Sequence, residues 1–213
     1  MTSEKEKKRA LRIYEILREK YGEQKPALNF SNPFELLIAT ILSAQCTDAR
    51  VNVVTEKLFK KYKNPKDFLK TETEELEKDI FSTGFYRQKA KSIKACCEIL
   101  AKEYDGKVPS NFEELTKLPG VGRKTASVVA GNAFGIPAVA VDTHVRRLSN
   151  LLGLADTKNP DKIEAALKEL LPERTWIEIS HLLASHGRAV CKARKPDCFN
   201  CVIYDYCPGK KLK

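Results

Sequence analysis

The chain has 213 residues, enough for one large domain or two small ones with a proper core. Lys and Arg total 38 against 28 Asp and Glu, and the formal net charge of +10 suits a polyanionic partner. No apolar run approaches the roughly 18 residues of a membrane span, and the charged start lacks the apolar core of a secretory signal. An intracellular protein with seven cysteines held as reduced thiols or ligands is therefore expected.

Helical periodicity runs through nearly every segment. Ala10, Ile13, Tyr14, Leu17 and Tyr21 share one face, and Gly22 stops that helix. Asn32-Pro33-Phe34-Glu35 reads as N-cap, N1 proline and N3 glutamate, opening a helix whose Phe34, Leu37, Ile38, Ile41 and Leu42 make a buried stripe. The polar run Ser43-Ala44-Gln45-Cys46-Thr47-Asp48 predicts a loop, then a new N-cap at Thr47 or Asp48. Further helices are expected after Asn64-Pro65, after Thr71 with Glu74 at N3, and after Gly84. Ser110 and Glu113 pair as a capping box for a short helix holding Phe112 and Leu115.

Gly135-Ile136-Pro137 breaks the pattern, and Ala138-Val139-Ala140-Val141 reads as an extended connector because no partner strand is visible. Asp142 caps a helix carrying Val145, Leu148 and Leu152, closed by Gly153. Asn159-Pro160 and Pro172 open two more, the second passing Trp176 to about Gly187. The fold class is all-α, with its internal seam near Pro137.

The segment Leu118-Pro119-Gly120-Val121-Gly122-Arg123-Lys124-Thr125-Ala126 joins the short helix to one marked by Ala126, Val129, Ala130 and Ala133. Two glycines one residue apart permit a tight turn and the close approach of another molecule. The second helix turns unpaired N–H groups and its positive dipole end toward the hairpin, where a nucleic-acid phosphate would sit. Lys124 lies in that first turn, where a cation is disfavoured. It reads either as a nucleophile used as the free amine or as a phosphate contact. Asp142 reads either as an ordinary N-cap, worth about 1 kcal/mol, or as a carboxylate facing Lys124.

Cys191, Cys198, Cys201 and Cys207 follow the spacing C-x6-C-x2-C-x5-C, a metal-ligand pattern that serves zinc or an iron–sulfur cluster equally. Lys192, Arg194 and Lys195 lie in the same loop, so the metal either braces a basic surface or staples the tail. Cys46, Cys96 and Cys97 read as small buried hydrophobes, Trp176 as core, and His144, His181 and His186 as packing or hydrogen-bonding residues.

Taken in order, Leu42–Asp48, Leu118–Ala126, Val141-Asp142-Thr143-His144, His186-Gly187-Arg188 and the cysteine loop resemble the endonuclease III family of DNA glycosylases, in the helix-hairpin-helix superfamily. The likeness spans about Phe30 to Cys207. It implies a six-helix barrel domain at 26–136 that contains the hairpin. It also implies a helical domain formed by 1–25 and 137–213, with a [4Fe-4S] cluster on the four cysteines of loop 191–207.

The resemblance further implies a cleft holding catalytic Lys124 and Asp142, with the lysine buried. Lys124 would displace an oxidised or ring-saturated pyrimidine through a Schiff base, and β-elimination would then cut 3′ to the abasic site. Gln45 would fill the space left by the flipped base, and Phe85, where a leucine is expected, would wedge the opposite strand. Cys46 stands where an alanine is expected. Gly120, Gly122, Arg123, His144, Lys192, Arg194 and Lys195 would contact backbone. The implied partner is double-stranded DNA with damaged pyrimidines or abasic sites, met by a monomer in the cytoplasm, associated with the nucleoid in a prokaryote. Monofunctional relatives that lack the lysine, and a non-enzymatic DNA-binding module, are the rival readings.

Overall fold

The computed structural model describes residues 3–209, and among them there are helices and turns but no β-strand. The chain forms two compact units: one is Pro26–Ile136, and the other joins the chain up to Lys25 with the chain from Pro137 onward.

Pro26–Ile136 is built around a helix that is apolar nearly all round. Taking Glu4–Tyr21 as α1, this is α2 (Pro33–Leu42), in which Phe34 and every residue from Leu36 to Leu42 are buried. Asn32 caps it, its Oδ1 accepting the Glu35 N–H at 3.0 Å, and Pro33 fills N1, where no N–H is needed. Around it lie α3 (Asp48–Lys61), α4 (Pro65–Lys70), α5 (Thr73–Ile80), α6 (Tyr86–Glu103), α7 (Phe112–Lys117) and α8 (Arg123–Phe134). α2 packs on α3, α6 and α8. Leu37, Phe68, Leu76, Ile93, Leu100, Leu115 and Val129 share the core; fully burying a Leu or Phe contributes about 1.5–3 kcal/mol.

Two helix starts differ from the sequence reading. The Ser110–Glu113 box does not form; Asn111, an equally good cap, takes the position and accepts the Glu114 N–H at 3.0 Å. Thr71 does not cap α5, which begins after Glu72; its hydroxyl donates to Glu75 at 3.0 Å instead. Thr47, rather than Asp48, caps α3.

The other unit packs α1 against α10 (Pro160–Leu170) and α11 (Trp176–Ala189), with α9 (Thr143–Leu151) lying on α10 and α11. Ala10, Ile13, Tyr14 and Leu17, the face read from the sequence, are buried with Leu148, Leu167, Ile179 and Leu183. Residues 138–141 belong to no helix or strand. Pro172 opens a 3-10 turn, Glu173–Thr175, and α11 starts only at Trp176. The Trp176 indole is half-buried and donates to Leu171 O at 2.9 Å.

Candidate functional site

In Pro26–Ile136 the turn between α7 and α8 is closed by Val121 N–H donating to Leu118 O at 3.0 Å. Its two glycines do different things. Gly120 has φ +80, and a Cβ there would lie 2.9 Å from Ser92 Cβ, so the turn itself requires glycine. Gly122 has an ordinary φ of −86, and an added Cβ would meet nothing within 4 Å. The protein's own packing does not demand glycine at 122, and its absent side chain leaves the first amides of α8 without a side-chain cap. Such a surface admits an anion close to the backbone.

Lys124 is the second residue of α8 and is exposed, which corrects the expectation of a buried lysine. The helix buries Ala126, Ser127, Val129, Ala130 and Gly131, and Arg123 and Lys124 at its start lie on the exposed face. Arg123, also exposed, sets its guanidinium 5.0 Å from the centre of the Phe112 ring.

The same unit carries Gln45 and Phe85 on two loops. Both side chains are exposed, Phe85 by 64%. Both backbones are left-handed, with φ 54 at Gln45 and φ 49 at Phe85, a conformation that costs a non-glycine residue about 1–2 kcal/mol. Phe81, exposed as well, packs on Tyr86 with ring centres 4.9 Å apart.

In the other unit Asp142 is the N-cap of α9, its Oδ1 accepting the Val145 N–H at 2.7 Å. His144 and Lys192 line a groove of about 660 Å³ with Arg146, Arg147 and Arg188. Gly187 makes this close meeting of α9 and α11 possible, since a Cβ there would lie 2.8 Å from His144 Nδ1 and 3.1 Å from an Arg147 nitrogen. Arg194 and Lys195 are exposed nearby in sequence, Lys195 with φ 55.

Cys191, Cys198, Cys201 and Cys207 line one cavity of about 160 Å³, walled by Leu148, Leu151, Leu152 and Ile203. Among the described residues no three His, Cys, Asp or Glu side chains converge as a single metal ion would need. Four thiols set around an apolar cavity suit a polynuclear cluster better than one zinc ion. Arg147 donates to Cys191 O at 2.5 Å and lies 3.6 Å from its sulfur. His186, buried, places Nε2 3.5 Å from Cys201 Sγ. Arg9 of α1 ties the far end of the loop to the end of α9 by donating to Tyr206 O at 3.0 Å and to Leu152 O at 2.7 Å.

The sequence assigns Arg147 and Arg9 no role, puts Tyr21 only on an apolar face and His186 only among packing or hydrogen-bonding residues, and places Arg188 only within a resemblance. The available signal was Gly187 itself, a glycine inside a helix at a cost of about 1 kcal/mol, which marks a close approach. Cys96 and Cys97 are fully buried, as expected, and burial pushes their thiols up, Cys96 to about 12. Cys46 is only half-buried.

Residues 38–173 match the family model described as "HhH-GPD superfamily base excision DNA repair protein", and residues 191–207 match "Iron-sulfur binding domain of endonuclease III". Endonuclease III of Synechocystis sp. is 48% identical over 95% of this chain and 93% of its own length. Endonuclease III of Escherichia coli K12 is 43% identical over 96% and 97%. A solved structure of a trapped endonuclease III–DNA covalent intermediate superposes with a TM-score of 0.92 at 43% identity, covering 98% of this chain and 97% of that one. A thermostable thymine-DNA glycosylase matches at 0.86 and 27% identity, covering 95% and 96%.

Proposed function

The chain belongs to the endonuclease III family of HhH-GPD base excision DNA repair proteins, DNA glycosylases with abasic-site lyase activity and a [4Fe-4S] cofactor, and we propose that it removes oxidised or ring-saturated pyrimidines from duplex DNA. The observation that carries this reading is the hairpin of α7 and α8. It presents Lys124 beside backbone amides that lack a side-chain cap, on a surface where Gly122 leaves room for a phosphate.

The damaged nucleotide leaves the stack so that C1′ becomes reachable. Lys124 Nζ, as the free amine, bonds to C1′, and the base departs with the glycosidic electron pair and takes up a proton. The attached nitrogen gives up a proton and its lone pair opens the sugar, breaking C1′–O4′ with O4′ taking a proton; the iminium so formed acidifies the C2′ proton, whose removal expels the 3′ phosphate and cuts the strand, and water then releases the lysine. Lys124 is exposed in the free protein. In this reading the duplex itself covers it and strips its water. Asp142 keeps its cap bond to Val145 and supplies a carboxylate that accepts a proton or stabilises positive charge on the sugar.

Gln45 occupies the gap left by the flipped base and Phe85 wedges the stack. Gly120 and Gly122 amides with Arg123 bind phosphate on one unit, and His144, Lys192, Arg194 and Lys195 do so on the other. Pro26–Ile136 serves as the barrel domain, and the second unit as the iron–sulfur domain. Cys191, Cys198, Cys201 and Cys207 hold the cluster, which supplies a four-thiolate cross-link fixing the basic loop. The enzyme works as a monomer on chromosomal DNA in the cytoplasm.

Borohydride reduction tests the reading. Duplexes bearing thymine glycol or an abasic site should yield a covalent protein–DNA adduct, whereas uracil and 8-oxoguanine duplexes should yield far less. Lys124→Ala should abolish the adduct. No adduct from the unaltered protein, or an undiminished one from Lys124→Ala, would overturn it.

A further inference from the structure

Lys89 is 5% exposed, an unusual place for an ammonium group. Its two hydrogen-bond acceptors are main-chain carbonyls: Nζ donates to Leu42 O at 2.8 Å and to Thr83 O at 2.8 Å. The first is a carbonyl at the C-terminal end of α2, where helices leave acceptors unsatisfied. The second ends the 3-10 turn Phe81–Thr83. The main-chain N–H of Lys89 also donates to Phe85 O at 3.0 Å. Burial holds the amine below the ordinary lysine range.

Each carbonyl stands just ahead of a strained, exposed residue. Gln45 follows Leu42 by three positions and Phe85 follows Thr83 by two, and both hold a left-handed backbone. Two non-glycine residues keep such conformations only where their surroundings over-determine them. Here one buried ammonium joins the bases of both loops. A hydrophobic residue of the same length would fill the space and leave two buried carbonyls without this donor.

We propose that Lys89 is a positioning residue that locks the Gln45 and Phe85 loops to each other, so that the two side chains enter the duplex in fixed register. This rests on the reading that both side chains face DNA. One link spanning two loops that are 40 residues apart in sequence makes stacking by Phe85 and gap-filling by Gln45 a single event.

Lys89→Met in the full holoprotein tests it. Without DNA, amide exchange should quicken in both loops together, by about tenfold, while α8 keeps its protection. Exchange that quickens in one loop only, or across the whole unit equally, overturns the proposal. With a duplex carrying an abasic analogue opposite 2-aminopurine, the fluorescence change on binding should fall about tenfold for Lys89→Met. In a Gln45→Ala, Phe85→Ala background Lys89→Met should subtract nothing more, because the three act as one unit; an additive loss would make Lys89 a general stabiliser and overturn the inference. If Gln45→Ala and Phe85→Ala alone leave fluorescence unchanged, their assignment to DNA fails, and amide exchange still decides the link. Lys89→Gln, which retains a shorter donor, carries the same exchange test if the methionine variant does not fold.

Discussion

Tyr21 and His186 share a hydrogen bond of 2.8 Å between the tyrosine hydroxyl and Nδ1, while Nε2 of the same ring lies 3.5 Å from Cys201 Sγ. The two rings meet edge to face, 5.9 Å apart. An imidazole fixed through one nitrogen aims the other, so a residue of the first helix sets the orientation of a group beside a cluster ligand. Tyr21→Phe is expected to bind a full complement of iron yet lose it to a chelator several-fold faster, followed by visible absorbance. An unchanged rate would remove Tyr21 from any part in holding the cluster.

The two hairpin glycines should separate in the laboratory. Gly120→Ala forces a Cβ against Ser92 at φ +80 and should destabilise the protein by more than about 1 kcal/mol. Gly122→Ala meets open space and should melt like the parent, yet bind duplex DNA several-fold more weakly. Chemical denaturation and a binding titration at fixed salt decide both.

Asp142 has a structural duty that must be separated from its chemical one. Asparagine caps helices as well as aspartate does, so Asp142→Asn should leave stability unchanged. Asp142→Ala should cost about 1 kcal/mol. Turnover should fall by at least about a hundredfold in both, because both lose the carboxylate. If only the alanine variant is slow, the cap explains the residue and the chemistry does not.

His181, half-buried on α11, has its imidazole held below its ordinary 6.5 by burial, then by Arg188; Asp142 and Glu178 partly offset this. Its unfolded form therefore binds more protons than its folded form just below pH 6.5, so its contribution is complete above that value and declines as pH falls through the lowered folded value. His181→Gln should flatten that part of the stability curve relative to the parent. Identical acid limbs in the two proteins would show that another group governs it.

How much was legible depends on whether a signal was local. Asn32-Pro33 and the stripe behind it announced α2 because cap, proline and periodicity agree within ten residues. The cysteine spacing announced a metal-binding loop for the same reason, and left zinc and an iron–sulfur cluster equal. The cap of α7 was misplaced by one residue because Ser110 and Asn111 are both competent, and only packing of the short helix chooses between them. Lys89 was invisible: periodicity treats lysine as solvent-facing, and the carbonyls it meets come from two other segments. The exposure of Lys124 followed from which face of α8 is buried, and the run Ala126, Val129, Ala130 already carried that information.

Arg9 donates to carbonyls that lie 143 to 197 positions further along the chain. α1 therefore waits for α10 and α11, the helices it packs on, while Pro26–Ile136 can complete its own interior in between. At about 5–20 residues per second this delay lasts roughly 7 to 40 s. Throughout it the face of Ala10, Ile13 and Leu17 stays open to chaperones, and a message truncated before α10 and α11 leaves that face without the helices that cover it.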